Sequence, residues 1–261
     1  MKLFLKGKKI LITGGSKGLG KILVEEFLKE KAIVTYCSRS PIKEKGNGRL
    51  SESSATFVPV DALKKHSINA CIETSAEKMG GLDVLINNVG GVSTFKNFWE
   101  LTEKEWLEAF RLNFLATVSF TKLSVDFLRR SESPRIINIS SVTAIKPGFF
   151  NPHYSASKAA LINLTKHLAK ILADDRILVN CVLPGTFFSE NWDKYLSQLA
   201  NDQKRPYEAI KVEEEMKASK NAPLKRMGNA NEITPLILLL ASPISSWQTG
   251  SCLTLDGGKL L

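Results

Sequence analysis

The chain has 261 residues, 43% of them hydrophobic, and a formal net charge of +10 at pH 7. That length suits one α/β domain, and the apolar content suffices for a core. No run approaches the roughly 18 apolar residues of a membrane span, and Met1–Ile10 lacks a secretory apolar stretch, so a cytoplasmic protein with no membrane partner is expected. Twelve Lys/Arg against four Glu lie within residues 1–49. They are scattered through helix and strand patterns rather than gathered in an aromatic-interleaved tail, which argues against nucleic acid; a phosphate-rich cofactor or an acidic carrier protein accounts for them. Cys37, Cys71, Cys181 and Cys252 form no CxxC pair and have no histidine at ligand spacing. Free thiols and no metal are expected.

In chain order, apolar and β-branched runs predict strands at Lys9–Thr13, Ala32–Ser38, Ala55–Asp61, Leu82–Asn88, Arg135–Ser141, Ile177–Leu183 and Cys252–Asp256. Helical periodicity fills 18–30, 63–79, 102–130, 153–173 and 230–241. Near-continuous apolar strands alternating with helices predict a doubly wound, Rossmann-like parallel sheet of about seven strands with helices on both faces. No Pro/Gly/Ser linker or repeat interrupts it, so 1–261 is expected to be one domain, with Ser40–Ser54 as a loop. The 186–220 excursion leaves a strand's carboxyl end, where such sheets bind ligands, and is expected to act as a substrate lid.

The first predicted strand runs into Thr13-Gly14-Gly15-Ser16-Lys17-Gly18-Leu19-Gly20 and then a helix. Glycines allow close backbone approach, and the free N–H groups of a helix start attract a pyrophosphate. Between strand and helix, this spacing predicts a dinucleotide site. The second strand ends Tyr36-Cys37-Ser38-Arg39, without the carboxylate that holds an NAD ribose. Arg39, with Lys17 as a second charge, suits a 2′-phosphate, so NADP(H) is the expected cofactor.

Tyr154 and Lys158 stand four apart in a helical pattern and share a face. A phenol with an ordinary pKa near ~10 is a poor base at neutral pH. An ammonium ~4 Å away is worth roughly 4 kcal/mol to the phenolate at intermediate dielectric, so Lys158 is expected to lower the Tyr154 pKa towards the working range. Ser141 and the Asn87-Asn88-Val89-Gly90 run end two strands at the same sheet edge, and Asn113 lies in the 102–130 helix beside them.

Taken in order, these motifs resemble the short-chain dehydrogenase/reductase superfamily, in the branch that includes 3-oxoacyl-carrier-protein reductases. The likeness spans essentially the whole chain: Thr13–Gly20, Asp61, Asn87–Gly90, Asn113, Ser140-Ser141, Tyr154 with Lys158, Pro184-Gly185-Thr186, 223–228 and Thr249-Gly250 through Asp256-Gly257-Gly258. The resemblance implies that Tyr154 exchanges the proton, Ser141 bonds the substrate oxygen, Lys158 tunes the phenol and holds the nicotinamide ribose, and Asn113 holds a relay water. It further implies that Asp61 meets the adenine, Asn88 and Gly90 pack on the adenosine ribose, and Thr186, with Pro184 and Gly185, faces the nicotinamide amide. The substrate would be a small carbonyl or alcohol compound, carrier-linked in one version, and the assembly a homotetramer. Ala144 and Gly91 depart from the family pattern beside the cleft.

His66, His153 and His167 lack triad spacing; His153 is expected to start a helix, with substrate contact as the minor alternative. Trp99, Trp106 and Phe110 form a helical stripe expected to pack, whereas Trp192 and Tyr195 are candidates for substrate contact. A catalytically silent nucleotide-binding or scaffold protein on the same fold is the alternative. It would be favoured by the loss of any one of Asn113, Ser141, Tyr154 and Lys158, all of which are present.

Overall fold

On the first strand, β1 (Lys9–Thr13), Ile10 and Ile12 point to one side and Leu11 to the other, and all three have no exposed surface. Alternation of this kind demands cover on both faces. The computed structural model describes residues 2–42, 55–92, 94–220 and 222–261. The remaining strands are β2 (Ile33–Ser38), β3 (Ala55–Pro59), β4 (Val84–Asn87), β5 (Arg135–Ile139), β6 (Leu178–Pro184) and β7 (Cys252–Leu255). They form one parallel sheet in the order β3-β2-β1-β4-β5-β6-β7. The strand order reverses between β1 and β4, the place where open α/β sheets form their ligand crevice.

One face is covered by α1 (Gly18–Lys29) and α8 (Ala230–Ala241), whose Leu23, Phe27, Ile233 and Ile237 pack on Ile10, Ile12, Ile137 and Val182. The other carries α2 (Lys65–Met79), α4 (Ala116–Leu128) and α5 (Pro152–Ile171), with Ile68, Ile72, Phe120 and Ala169 against Leu11, Leu85 and Ile136. Fully burying Phe27 or Phe120 contributes about 1.5–3 kcal/mol each by transfer from water.

The expected helix over 102–130 is a composite. α3 (Glu103–Phe110) starts on a capping box, in which the Thr102 hydroxyl accepts from Glu105 N and the Glu105 carboxylate accepts from Thr102 N. A π-helical turn, Arg111–Leu115, then separates it from α4. Its wider turn breaks the 3.6-residue period that the sequence pattern assumes. The 186–220 excursion holds two helices, α6 (Glu190–Gln203) and α7 (Tyr207–Lys220), which pack on each other through Leu196, Ala200 and Ile210. The loop expected over Ser40–Ser54 lies outside the described residues from position 43 onward. No described helix is long and apolar enough to cross a membrane.

Candidate active site

The glycine loop closes on itself and on the end of β4. Gly14 and Gly15 both donate backbone N–H bonds to Cys37 O (2.8 and 3.2 Å), tying the loop to β2. A Cβ on Gly20 would stand 2.3 Å from Gly14 O and 2.6 Å from Asn88 Nδ2, and one on Gly15 would meet Tyr36 Cβ at 2.5 Å. Backbone and helix are therefore closer than any side chain permits. Asn88 Nδ2 donates to Thr13 O and Gly14 O (3.0 and 3.1 Å). Thr13 Oγ1 accepts from Asn88 N and Val89 N, both at 3.0 Å. Thr13, which opens the glycine motif, is thus a site-building residue as well as the end of a strand. Helix α1 begins at Gly18 with Leu19 and Gly20 buried, Ser16 and Lys17 just before it, and no acidic residue in its first turn. No residue of that turn itself opposes the positive end of the helix dipole.

At the neighbouring strand ends, Ser38 donates its hydroxyl proton to Ser40 O, and Arg39 is exposed beside it. Asp61 follows β3; its Oδ1 accepts from Leu63 N (3.1 Å), with Lys64 Nζ 3.5 Å from Oδ2. Pro184 closes β6, Gly185 N bonds Leu255 O (2.8 Å), and Thr186 O accepts from Gly228 N (3.1 Å). A Cβ on Gly185 would fall 2.6 Å from Asp256 Cα, so the ends of β6 and β7 touch here.

Ser141 caps a short 3-10 turn, Val142–Ala144. Its Oγ accepts from Thr143 N (3.2 Å) and Thr143 Oγ1 (3.0 Å). With both acceptor positions used, the serine's own proton is left to donate. Tyr154 lies beside it on the first turn of α5, and the two hydroxyls interact. One turn on, buried Lys158 places Nζ 5.7 Å from the Tyr154 ring centroid and donates to Ile139 O (2.8 Å). Ser140 Oγ donates to Lys158 O (2.8 Å), locking helix to strand. Lys158 Nζ and Asn113 Oδ1 would meet a Cβ on Gly90 at 3.1 and 2.6 Å, so these three residues converge.

Asn113 sits in the π-helical turn with no exposed surface. Its Nδ2 donates to Gly91 O and Ala109 O (both 3.0 Å), and its Oδ1 accepts from Gly91 N (2.8 Å). The side chain is committed to holding the loop after β4. Behind the site runs a buried polar chain: Asn87 Nδ2 donates to Thr121 Oγ1 (3.0 Å) and Asn138 Oδ1 (2.9 Å), and Asn138 Nδ2 to Thr165 Oγ1 (2.9 Å).

The electrostatics differ from the expectation. Burial pushes the Tyr154 phenol up to about 12, with the Ser141 hydroxyl acting the other way. Burial pushes Lys158 down to about 8, opposed weakly by Cys181. The lysine donates to a carbonyl rather than to the phenol, so desolvation outweighs the expected lowering of Tyr154. A neutral phenol at pH 7 is a proton donor.

His153 does start α5 but is 1% exposed, with both ring nitrogens unpartnered and the ring edge-on to Trp106 at 6.1 Å. Burial lowers its pKa. Trp99 is 89% exposed and lies in a separate 3-10 turn, Phe98–Glu100, so the three-aromatic stripe does not exist as one helix face. Tyr195 stacks on Trp192 (5.4 Å) and on Phe95 of the loop after β4 (5.2 Å), and its hydroxyl donates to Glu214 Oε2 (2.8 Å). The excursion thus touches the loop that Asn113 holds. Cys37, Cys71, Cys181 and Cys252 are all free thiols. Among the described residues, no cluster of His, Cys, Asp and Glu could hold a metal.

The short chain dehydrogenase family model matches residues 8–200. The chain is 30% identical over 262 residues to a 3-oxoacyl-[acyl-carrier-protein] reductase of Aquifex aeolicus, covering 99% of each chain. It is 31% identical over 270 residues to Glucose 1-dehydrogenase 2 of Bacillus subtilis, covering 98% of this chain and 96% of the other. The structure superimposes on L-sorbose reductase from Gluconobacter frateurii, solved with NADPH and L-sorbose, with a TM-score of 0.88 at 27% identity, covering 100% and 99% of the two chains. This chain belongs to the short chain dehydrogenase family of oxidoreductases.

Proposed function

We propose that the protein is an NADP(H)-dependent oxidoreductase that interconverts a carbonyl and a secondary alcohol, with Tyr154 as general acid and base. The observation that carries this reading is the convergence of Ser141, Tyr154 and Lys158 beside Gly90 and Asn113 at the carboxyl edge of the sheet. The residues fit a dinucleotide. Gly14, Gly18 and Gly20 form a cradle that a Cβ at Gly20 would fill, and the first turn of α1 carries no acidic residue of its own. Ser16 and Leu19 would line the pyrophosphate, Arg39, Lys17 and Ser38 the 2′-phosphate, and Asp61 the adenine. Asn88 and Gly90 would back the adenosine ribose, with Pro184, Gly185 and Thr186 at the nicotinamide end. Bound NADPH supplies the hydride.

The chain supplies the rest. Ser141, with its proton free to donate, holds the substrate carbonyl oxygen and stabilises negative charge developing there. Tyr154, neutral at pH 7, gives its proton to the same oxygen; in the reverse direction it takes that proton back. Lys158 would hold the ribose hydroxyls, and its positive charge stabilises the phenolate that Tyr154 becomes once its proton has gone to the substrate. Asn113, through its grip on Gly91, fixes the loop that closes over Lys158 and favours a relay water there.

Residues 1–261 would act as one unit, with α6 and α7 as the lid: Phe95, Trp192 and Tyr195 form an aromatic roof suited to an apolar part of the substrate. Carrier-linked chemistry would draw on the basic residues Arg129, Arg130 and Arg176 facing an acidic carrier, and of these the Arg129 guanidinium is already paired with Asp126 (2.8 Å) and Asp175 (3.0 Å). A homotetramer fits the half-exposed Leu107 and Leu115 on the α3–α4 segment, and light scattering tests it. The function is tested by following NADPH consumption with ketoses, aldoses, simple ketones and 3-oxoacyl thioesters. Turnover that Tyr154→Phe abolishes is expected; turnover undiminished in that variant overturns the assignment.

A further inference from the structure

Residues 256–260 fold back on themselves in a tight turn. Asp256 Oδ1 accepts from Gly258 N and Oδ2 from Leu260 N, both at 2.9 Å, while Gly257 and Gly258 take φ of 65° and 86°. This turn needs the left-handed region that glycine reaches freely. It brings Lys259 back across the end of β6, where its Nζ donates to Thr186 Oγ1 (3.0 Å). From the loop after Ser141, Lys146 Nζ reaches the same tail and donates to Lys259 O (3.2 Å). Two lysines thus gather at the carboxyl edge that also carries Ser141 and Tyr154.

Neither lysine has an ion-pair partner among the described residues, in contrast with Lys96, which pairs with Glu105 at 2.7 Å. Burial and the Lys146 charge push the Lys259 ammonium down, and Asp256 opposes them. Both Asp256 oxygens are already engaged by backbone N–H groups, so the carboxylate serves the turn. An ammonium carries three donors, of which Thr186 takes one. A half-buried, unpaired cation is costly unless an anion joins it, and charge-assisted bonds to an oxyanion are the strong kind.

We infer that the cleft takes a carbonyl or alcohol substrate bearing an oxyanion, carboxylate or phosphate, which Lys259 receives beside Thr186 with Lys146 at the rim. The inference rests on the proposed reaction and narrows its substrate class.

Two matched pairs test it: acetoacetate against its methyl ester, and dihydroxyacetone phosphate against dihydroxyacetone, each with NADPH. The charged member of at least one pair should have a kcat/KM higher by about tenfold or more, carried by KM. Lys259→Met should collapse that ratio, and Lys259→Arg should restore much of it. Equal use of both members of both pairs overturns the inference while leaving the reaction standing. A uniform fall for charged and neutral substrates in Lys259→Met, with a raised KM for NADPH, also overturns it, because the lysine then acts on the cofactor through Thr186. If no pair is reduced, the proposed reaction is in question and calorimetry decides the subsite. Lys259→Met should then weaken binding of 3-hydroxybutyrate or glycerol 3-phosphate by about tenfold, and unchanged binding of both overturns it.

Discussion

Asn113 and Gly91 bond each other in both directions, Nδ2 to Gly91 O at 3.0 Å and Gly91 N to Oδ1 at 2.8 Å. A side-chain amide here replaces a strand neighbour, satisfying the backbone just where β4 gives way to a loop. Asn113→Ala leaves both Gly91 groups without a protein partner, at a cost of about 1–3 kcal/mol. The variant should melt earlier and lose turnover through kcat, as read by thermal unfolding and steady-state kinetics. An unchanged melting temperature would mean that the loop is held elsewhere.

Gly20→Ala should be far more damaging than Gly18→Ala. The added methyl at position 20 meets backbone, 2.3 Å from Gly14 O, whereas at position 18 it finds open space and faces only the strain of φ 54°. NADPH binding, followed by fluorescence titration, should vanish in the first variant and weaken modestly in the second. Comparable affinities would count against the cradle.

Buried Lys158, held down to about 8, imposes a pH-dependent instability. Its folded pKa lies below the unfolded value near ~10.4, so the penalty is fully present below about pH 8 and disappears as pH rises towards that unfolded value. Lys158→Met should be inactive, yet its stability relative to the parent should improve as pH falls from about 10 to 8. Denaturant midpoints across that range measure it; a stability difference independent of pH would show that the ammonium is not desolvated.

Arg39→Asp exchanges a phosphate-seeking fork for a ribose-seeking carboxylate. The KM for NADPH should rise by about tenfold or more while that for NADH falls or holds. Equal changes for both cofactors would remove Arg39 from the phosphate site.

The strands, the glycine loop and the Tyr154–Lys158 spacing were legible because they depend on local periodicity and on residues near one another in sequence. The break in the 102–130 pattern was not: a π-helical turn adds one residue per turn without a compositional mark, and it is held by the long-range pairing of Asn113 with Gly91. Burial of His153 was also invisible, since it depends on Trp106 packing across from another helix. The Lys259–Thr186 bond joins residues 73 apart and exists only because β6 and β7 are neighbours.

The order and type of the motifs were enough, on their own, to determine the fold class and the family. Tertiary structure decided the protonation landscape. Desolvation depends on every atom packed around a group, so Tyr154 is pushed up rather than down although its lysine stands one turn away. It also decided which cations share a cleft, because a parallel sheet brings strand ends together in spatial order rather than chain order.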